Sequence, residues 1–431
     1  MRSTVKTIRS ERTGDQYYEV QHSSGLKIFI YPKEKDSAAY AIFGTKYGSI
    51  DNCFQRSDEA EPQRVPNGIA HYLEHKLFES QDGDAFARFA KTGASANAYT
   101  SFNMTCYLFL CTQNVYESLE ILLDFVQSPY FTEETVKKEQ GIIGQEIRMY
   151  DDDPQWRVMF GLLESLYHTH PVKIDIAGTT DSIAKITPEL LYRCYRTFYN
   201  LNNMALCVAG NVDPQRVLDL CDRMLKPCEP VTVRRIFAPE PESIVRPRTE
   251  EKLSVAVPLF ELGFKESVMG GRATVKQIAE TDILLEALSS SASPLFRSLL
   301  DDGLINEASF GHEYFEGPGF ASVIFSGESK DPDTTAERIR REIERFRREG
   351  MDRGTFLRAR NSVYGRSVAE LNSAPGIANS ILSLTFADRE IFSYIDAVAE
   401  ADADSVLSRL DTQLKPENSA LSMISPAKEL S

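Results

Sequence analysis

Two histidines four residues apart, with a glutamate beside the second, stand in the run Pro66-Asn67-Gly68-Ile69-Ala70-His71-Tyr72-Leu73-Glu74-His75-Lys76-Leu77-Phe78. Ile69, Leu73 and Leu77 recur every four residues, the mark of one helix face, so His71, Glu74 and His75 share the opposite face. Imidazoles at i and i+4 can reach one tetrahedral Zn²⁺, and a carboxylate beside them can take a proton from a water held there. That is the chemistry of a metal-dependent hydrolase. The competing reading is a solvated helix face that shows these residues by chance. With six histidines in the chain (22, 71, 75, 168, 170 and 312), a chance HxxEH has odds of roughly one in a hundred. Two imidazoles leave the site short of a third protein ligand.

The best source of that ligand is 131–154, FTEETVKKEQGIIGQEIRMYDDDP, which reads as a helix capped by Thr132, with Glu133 and Glu134 in its first turn and Pro154 at its end. Glu139 and Glu146 lie two turns apart on one face, where an exposed acidic face would look the same, and spacing alone does not choose between them. Gly141 and Gly144 inside this helix cost roughly 1 kcal/mol each relative to alanine, tolerable if they let the HxxEH helix come close. His168 and His170, in LYHTHP, form an HxH pair, but Pro171 follows at once, and they read as loop histidines. His22 and His312 are isolated and receive no role.

A chain of 431 residues exceeds one ordinary core and suits two domains. Prolines 227, 230, 239, 241 and 247 make 226–250 the most loop-like stretch, so the expected division is 1–228, a linker at 229–250, and 251–431. The halves end alike, YNLNNMALCVAG at 199–210 and LKPENSALSMIS at 414–425, which points to a distant internal duplication. Hydrophobic residues at 42% and charged residues at 26% fit a soluble globular protein, and no run approaches the ~18 apolar residues of a membrane span. The N-terminus shows neither a secretory signal nor a lipid anchor, so a cytoplasmic location is expected. Seven cysteines without a CxxC read as reduced, packed thiols. A net charge of −15 argues against nucleic acid as a partner.

The segments GIAHYLEHKLFE, GASANAYTSFNMTCYLF, KKEQGIIGQE, HPVKIDIAGT and YNLNNMALCVAGNVDP follow the order of the pitrilysin/insulinase zinc metallopeptidases, which include the mitochondrial processing peptidases. The whole chain resembles a half-length bacterial member. This resemblance implies an α+β fold of two related domains, each a mostly antiparallel sheet covered by helices. It implies Zn²⁺ held by His71, His75 and Glu146, with Glu74 as general base and Glu139 supporting a ligand. The small-residue segment containing Ala96, Asn97 and Ala98 otherwise reads as an ordinary edge strand. The family's corresponding strand binds extended peptide by β-augmentation. The interval 51–66 looks longer than the family's usual lead into the zinc helix.

The second half lacks HxxEH and is expected to hold no metal. Family members often carry there an Arg and, seven residues later, a Tyr that help bind substrate. Arg360 fits the first position, whereas Ser367 stands in the second and Tyr364 is displaced. The expected activity is zinc-dependent endopeptidase cleavage of peptides or small unfolded polypeptides, in a cavity closed by a second peptidase-like subunit. A heterodimer is preferred to a homodimer because the Arg and Tyr arrangement is incomplete. A noncatalytic assembly subunit and a metal hydrolase of small molecules are the alternatives.

Overall fold

The computed structural model describes residues 3–81, 83–267 and 272–427. They form two compact units, each with its own sheet. The first contains the residues through Ile147, Asp175–Ile236 and Val368–Phe392, and the second contains Arg148–Ile174, Phe237–Ser367 and the residues from Ser393 on. In the first, a seven-stranded sheet runs in the order Thr4–Arg9, Gln16–Gln21, Lys27–Pro32, Met204–Gly210, Ala39–Thr45, Thr105–Cys111, Ser95–Thr100. Met204–Gly210 and Ala39–Thr45 lie at its centre and are buried along their whole length, which is why MALCVAG and AYAIFGT read as continuous small and apolar runs.

The second sheet has the order Arg248–Leu253, Ser419–Pro426, Leu259–Lys265, Phe320–Glu328, Gly311–Gly317. Its topology repeats that of the last five strands of the first. One edge pair is parallel (Lys27–Pro32 with Met204–Gly210; Arg248–Leu253 with Ser419–Pro426) and every following pair is antiparallel. The similar endings expected from the sequence have similar structures, a 3-10 turn (Leu201–Asn203, Pro416–Asn418) leading into the strand beside that parallel edge. One face of the second sheet, with Phe260, Leu262, Phe264, Val323, Phe325, Leu421 and Met423, joins the apolar faces of helices Val275–Ser289, Pro332–Glu349 and Ala403–Gln413 in one core. The expected α+β class, with mostly antiparallel sheets under helices, is the one observed.

Each unit also takes a helix from the other half of the sequence. Helix Pro154–Leu166 packs on the second sheet, against Leu259–Lys265 and Ser419–Pro426. Gly263 makes this contact possible, since a Cβ there would lie 2.8 Å from Leu162 Cδ2. Leu162, Leu163 and Leu166 are fully buried, each contributing about 1.5–3 kcal/mol relative to exposure. Reciprocally, helix Ala374–Phe386 packs on Met204–Gly210 and Ala39–Thr45 of the first sheet, where a Cβ at Gly44 would lie 2.6 Å from Leu382 Cδ2. The compact units therefore do not run as the contiguous stretches 1–228 and 251–431. An amphipathic helix demands a cover for its apolar face, and its sequence does not say which sheet supplies it.

Three local expectations differ from what the structure shows. The proline-rich stretch 229–250 contains strand Val233–Arg235, paired with Cys53–Arg56, because the gap between Pro230 and Pro239 is long enough for ladder hydrogen bonds. Pro154 starts the helix Pro154–Leu166, with Asp153 accepting from the amides of Gln155 and Trp156, while the preceding helix spans Glu133–Asp151. Gly141 and Gly144 do not serve close helix approach. A Cβ at Gly141 would meet nothing within 4 Å, and one at Gly144 only Thr180 Cγ2 at 3.8 Å. Among the described residues no helix is long and apolar enough to cross a membrane. Six of the seven cysteines are buried free thiols, Cys228 being exposed.

Candidate active site

Helix Ile69–Leu77 is buried along its length except at His75. Its start is fixed by backbone packing. Gly68 has φ 86°, and a Cβ on it would lie 2.2 Å from the carbonyl oxygen of Ala177. Only glycine accepts both that conformation and that approach. The segment HPVKIDIAGT thus supports the residue from which the HxxEH helix departs. Tyr72 donates its hydroxyl to the carbonyl of Val136, joining this helix to Glu133–Asp151.

That second helix turns Val136, Ile143, Gly144 and Ile147 inward and brings Glu139 and Glu146 to the two histidines. His75 Nδ1 lies 3.1 Å from Glu139 Oε1, and a carboxylate only accepts, so Nδ1 carries a proton and Nε2 is the nitrogen available to a metal. His75 Nε2 is 3.4 Å from Glu146 Oε2, and His71 Nε2 is 3.6 Å from Glu146 Oε1. Ligand atoms of His71, His75 and Glu146 all lie within 4.8 Å of one another. This is a His, His, carboxylate donor set of the kind that holds zinc with a position left open, and the residues fit the metal in type and convergence. Among the described residues the buried His71 Nδ1 has no hydrogen-bond partner.

Glu74 is buried one turn from His71, and Thr100 Oγ1 donates to its Oε2 at 2.7 Å. Burial raises the Glu74 pKa, against the opposing pull of the His71 charge, the Thr100 hydrogen bond and the His75 charge. For His75, burial alone would lower the pKa. The hydrogen bond to Glu139 and the charges of Glu74, Glu146 and Glu139 outweigh it and raise the pKa.

A cleft of about 570 Å³ opens beside Glu74, His75 and Glu139, and Asn97 and Ala98 also line it. Ala96, Asn97 and Ala98 belong to Ser95–Thr100, which ends the first sheet and pairs only with Thr105–Cys111 among the described strands. Its other side is an open edge that can accept an added strand. Phe78 and Phe86 stack at 4.2 Å in the cleft wall, Phe86 remaining 44% exposed and Ile142 46% exposed. Lys76, fully buried, pairs with Glu79 and ties the small hairpin Glu79–Ser80/Gly83–Asp84 on the cleft's rim to the HxxEH helix.

Arg360 belongs to the second unit, on helix Arg353–Glu370, with its guanidinium 5.4 Å from the centroid of the Phe356 ring. Ser367 donates to the carbonyl of Val363, one turn back, and Tyr364 packs against that unit's core.

His170 is a structural residue. Its Nδ1 accepts from the amide of Val172 at 3.1 Å and its Nε2 donates to the carbonyl of Pro318 at 2.9 Å. Burial pushes its pKa down to about 4, so the ring is neutral at pH 7. The loop around it is held by Glu240, which accepts from the amides of His168, Thr169 and His170 at 2.7–2.8 Å and from Lys265 Nζ at 2.6 Å.

Sequence reasoning missed Thr100, Lys76 and the Gly68–Ala177 contact. Alternation along Ser95–Thr100 puts Thr100 on the face of Ala96 and Ala98, the one signal available, but does not say that the Glu74 carboxylate lies opposite.

Residues 60–180 match the family model described as insulinase, peptidase family M16, and residues 185–363 match that of the peptidase M16 inactive domain. The uncharacterized zinc protease YmfH of Bacillus subtilis strain 168 is 40% identical over 98% of this chain and 99% of its own. An M16-like peptidase from Alicyclobacillus acidocaldarius has a crystal structure that superposes with a TM-score of 0.90 at 33% identity, over 99% of both chains. Pitrilysin shares the fold, with a TM-score of 0.73 at 17% identity over 98% of this chain and 46% of the pitrilysin chain. Full-length similarity to a zinc protease, together with the succession of the two family models along the sequence, shows that this chain belongs to peptidase family M16.

Proposed function

We propose that the protein is a zinc-dependent endopeptidase that hydrolyses peptides or small unfolded polypeptides. The observation that carries this reading is the convergence of His71, His75 and Glu146, with Glu74 beside them, next to the open edge of Ser95–Thr100. His71, His75 and Glu146 would hold the zinc. When bound, it supplies a Lewis acid that acidifies a water and polarises a carbonyl. Glu74 takes a proton from the attacking water and delivers it to the leaving amine as the C–N bond breaks. Glu139 keeps the His75 ring in the tautomer with Nε2 unprotonated. Ala96, Asn97 and Ala98 hold the substrate extended by backbone hydrogen bonds. Arg360 is assigned to substrate binding on the family resemblance and its helix position alone.

This reading is tested by zinc analysis and peptide cleavage. His71→Ala and His75→Ala are expected to lose the single zinc per chain. Glu74→Gln is expected to keep it while losing about 100-fold or more in turnover, because the amide preserves shape but accepts no proton. Full zinc occupancy in both alanine variants, or undiminished turnover in Glu74→Gln, would refute it.

The substrate cavity is closed by a second subunit, a heterodimeric partner before a second copy. Supporting this, the position seven residues after Arg360 is a serine. Peptidase activity is expected to rise with protein concentration or with added partner. A strictly monomeric chain with full activity would exclude the closed cavity.

A further inference from the structure

We propose that Thr100 is a positioning residue for hydrolysis: its hydroxyl holds one oxygen of Glu74 and leaves the other to receive the proton from water. The inference rests on the peptidase reading and adds a residue to it.

Three threonines lie in one cross-strand row of the first sheet. Thr100 is opposite Thr105, and Thr105 is opposite Thr45. Each hydroxyl has a single proton to give. Thr45 gives its own to the carbonyl of Phe198 at 2.6 Å, and Thr105 gives its own to the carbonyl of Tyr47 at 2.9 Å. Both are buried structural bonds. The Thr105 oxygen is then only an acceptor. Thr100 Oγ1 has two acceptors within reach, Thr105 Oγ1 at 3.3 Å and Glu74 Oε2 at 2.7 Å. The shorter bond, to a charged oxygen, is the stronger one and takes the proton.

The consequence for Glu74 is geometric. Thr100 supplies the one hydrogen bond to its carboxylate among the described residues, and it goes to Oε2. Oε1 is the oxygen left for water. Thr100 is held by a strand ladder and, being β-branched, has few χ1 choices, so it fixes the carboxylate plane from a rigid support. Without the hydroxyl, the Glu74 carboxylate plane is free to turn about its terminal torsion, and neither oxygen is held toward the water.

Thr100→Val removes the hydroxyl at nearly constant shape, and Thr100→Ser keeps it. Both variants, loaded with zinc, are compared with the wild type for kcat, KM, zinc content and melting temperature. The carboxylate stretch of Glu74 is isolated as an infrared difference against Glu74→Gln. For Thr100→Val the expected result is a kcat lower by about 10–100-fold at nearly unchanged KM, zinc content and melting temperature, with a shifted stretch. Thr100→Ser is expected to restore kcat to within about threefold and return the stretch to its wild-type position. Wild-type kcat in Thr100→Val, or equal impairment of both variants, would overturn the positioning role. An unshifted stretch in Thr100→Val would overturn the contact itself. A wild type that cleaves no peptide although the stretch shifts would sink the peptidase reading and the catalytic role with it, while leaving the hydrogen bond standing.

Discussion

Glu240→Gln is expected to destabilise the second unit by about 2 kcal/mol at neutral pH and hardly at all near pH 2. Burial by itself would raise the Glu240 pKa. The hydrogen bonds from Lys265 and from the amides of His168, Thr169 and His170 more than reverse this and take it from 4.5 to about 2. A shift of that size corresponds to about 3 kcal/mol at 1.36 kcal/mol per pKa unit, and allowing for the part of the carboxylate that water screens brings it to about 2. Its side chain is 11% exposed, and Lys265, 3% exposed, would keep its buried charge with the carbonyls of Pro241 and Ser243 and the face of the Tyr167 ring, none of them an anion. The folded-state pKa lies below the unfolded one. The contribution is therefore fully present above pH 4.5 and is lost as pH falls through about 2. Urea unfolding of wild type and variant, followed by circular dichroism at a series of pH values, measures the gap. It should be constant between pH 7 and about 5, narrow below 4.5 and close near 2. A gap under about 0.5 kcal/mol at pH 7, or one that does not change between pH 7 and 3, would refute the reasoning.

Zinc titration separates the two downstream acids. Glu146→Gln is expected to weaken binding by well over 100-fold, whereas Glu139→Gln, whose amide oxygen can still accept from His75 Nδ1, is expected to lose about 10–100-fold. The opposite ranking would exchange their roles. Gly141→Ala is expected to stabilise the protein by about 0.5–1 kcal/mol, since a Cβ there enters open space inside a helix. An unchanged or lower melting temperature would show that the glycine is needed.

How much of this was legible depends on whether a feature is local. The HxxEH helix announces itself because Ile69, Leu73 and Leu77 impose a helical period, and that period alone puts His71, Glu74 and His75 on one face. The closing strands Met204–Gly210 and Ser419–Pro426 were visible as similar apolar endings of the two halves, whereas the 3-10 turns leading into them were not. Other features belong to the crossing of elements distant in sequence. Period places Glu139 and Glu146 on one helix face, but only the angle at which that helix meets Ile69–Leu77 directs Glu146 to both Nε2 atoms and Glu139 to Nδ1. Thr100 was hidden for the same reason, its partner lying 26 residues away on another element. Gly141 and Gly144 misled because a helical glycine suggests a close neighbour, and here there is none.

The exchange of helices between the halves bears on the order in which the protein can assemble during synthesis. All the proposed metal ligands have been made once Glu146 is added, yet the sheet beside them lacks its cover until helix Ala374–Phe386 has left the ribosome. At ~5–20 residues per second, the roughly 240 intervening residues take about 12–50 s. From the completion of Met204–Gly210 to the end of that interval, the face of Met204–Gly210 and Ala39–Thr45 that helix Ala374–Phe386 covers stays bare, and helix Pro154–Leu166 has emerged ahead of the sheet on which it packs. The nascent chain thus carries two unsatisfied surfaces, and a ribosome stalled between residues 210 and 386 would hold a product with every proposed zinc ligand and one face of the first sheet uncovered.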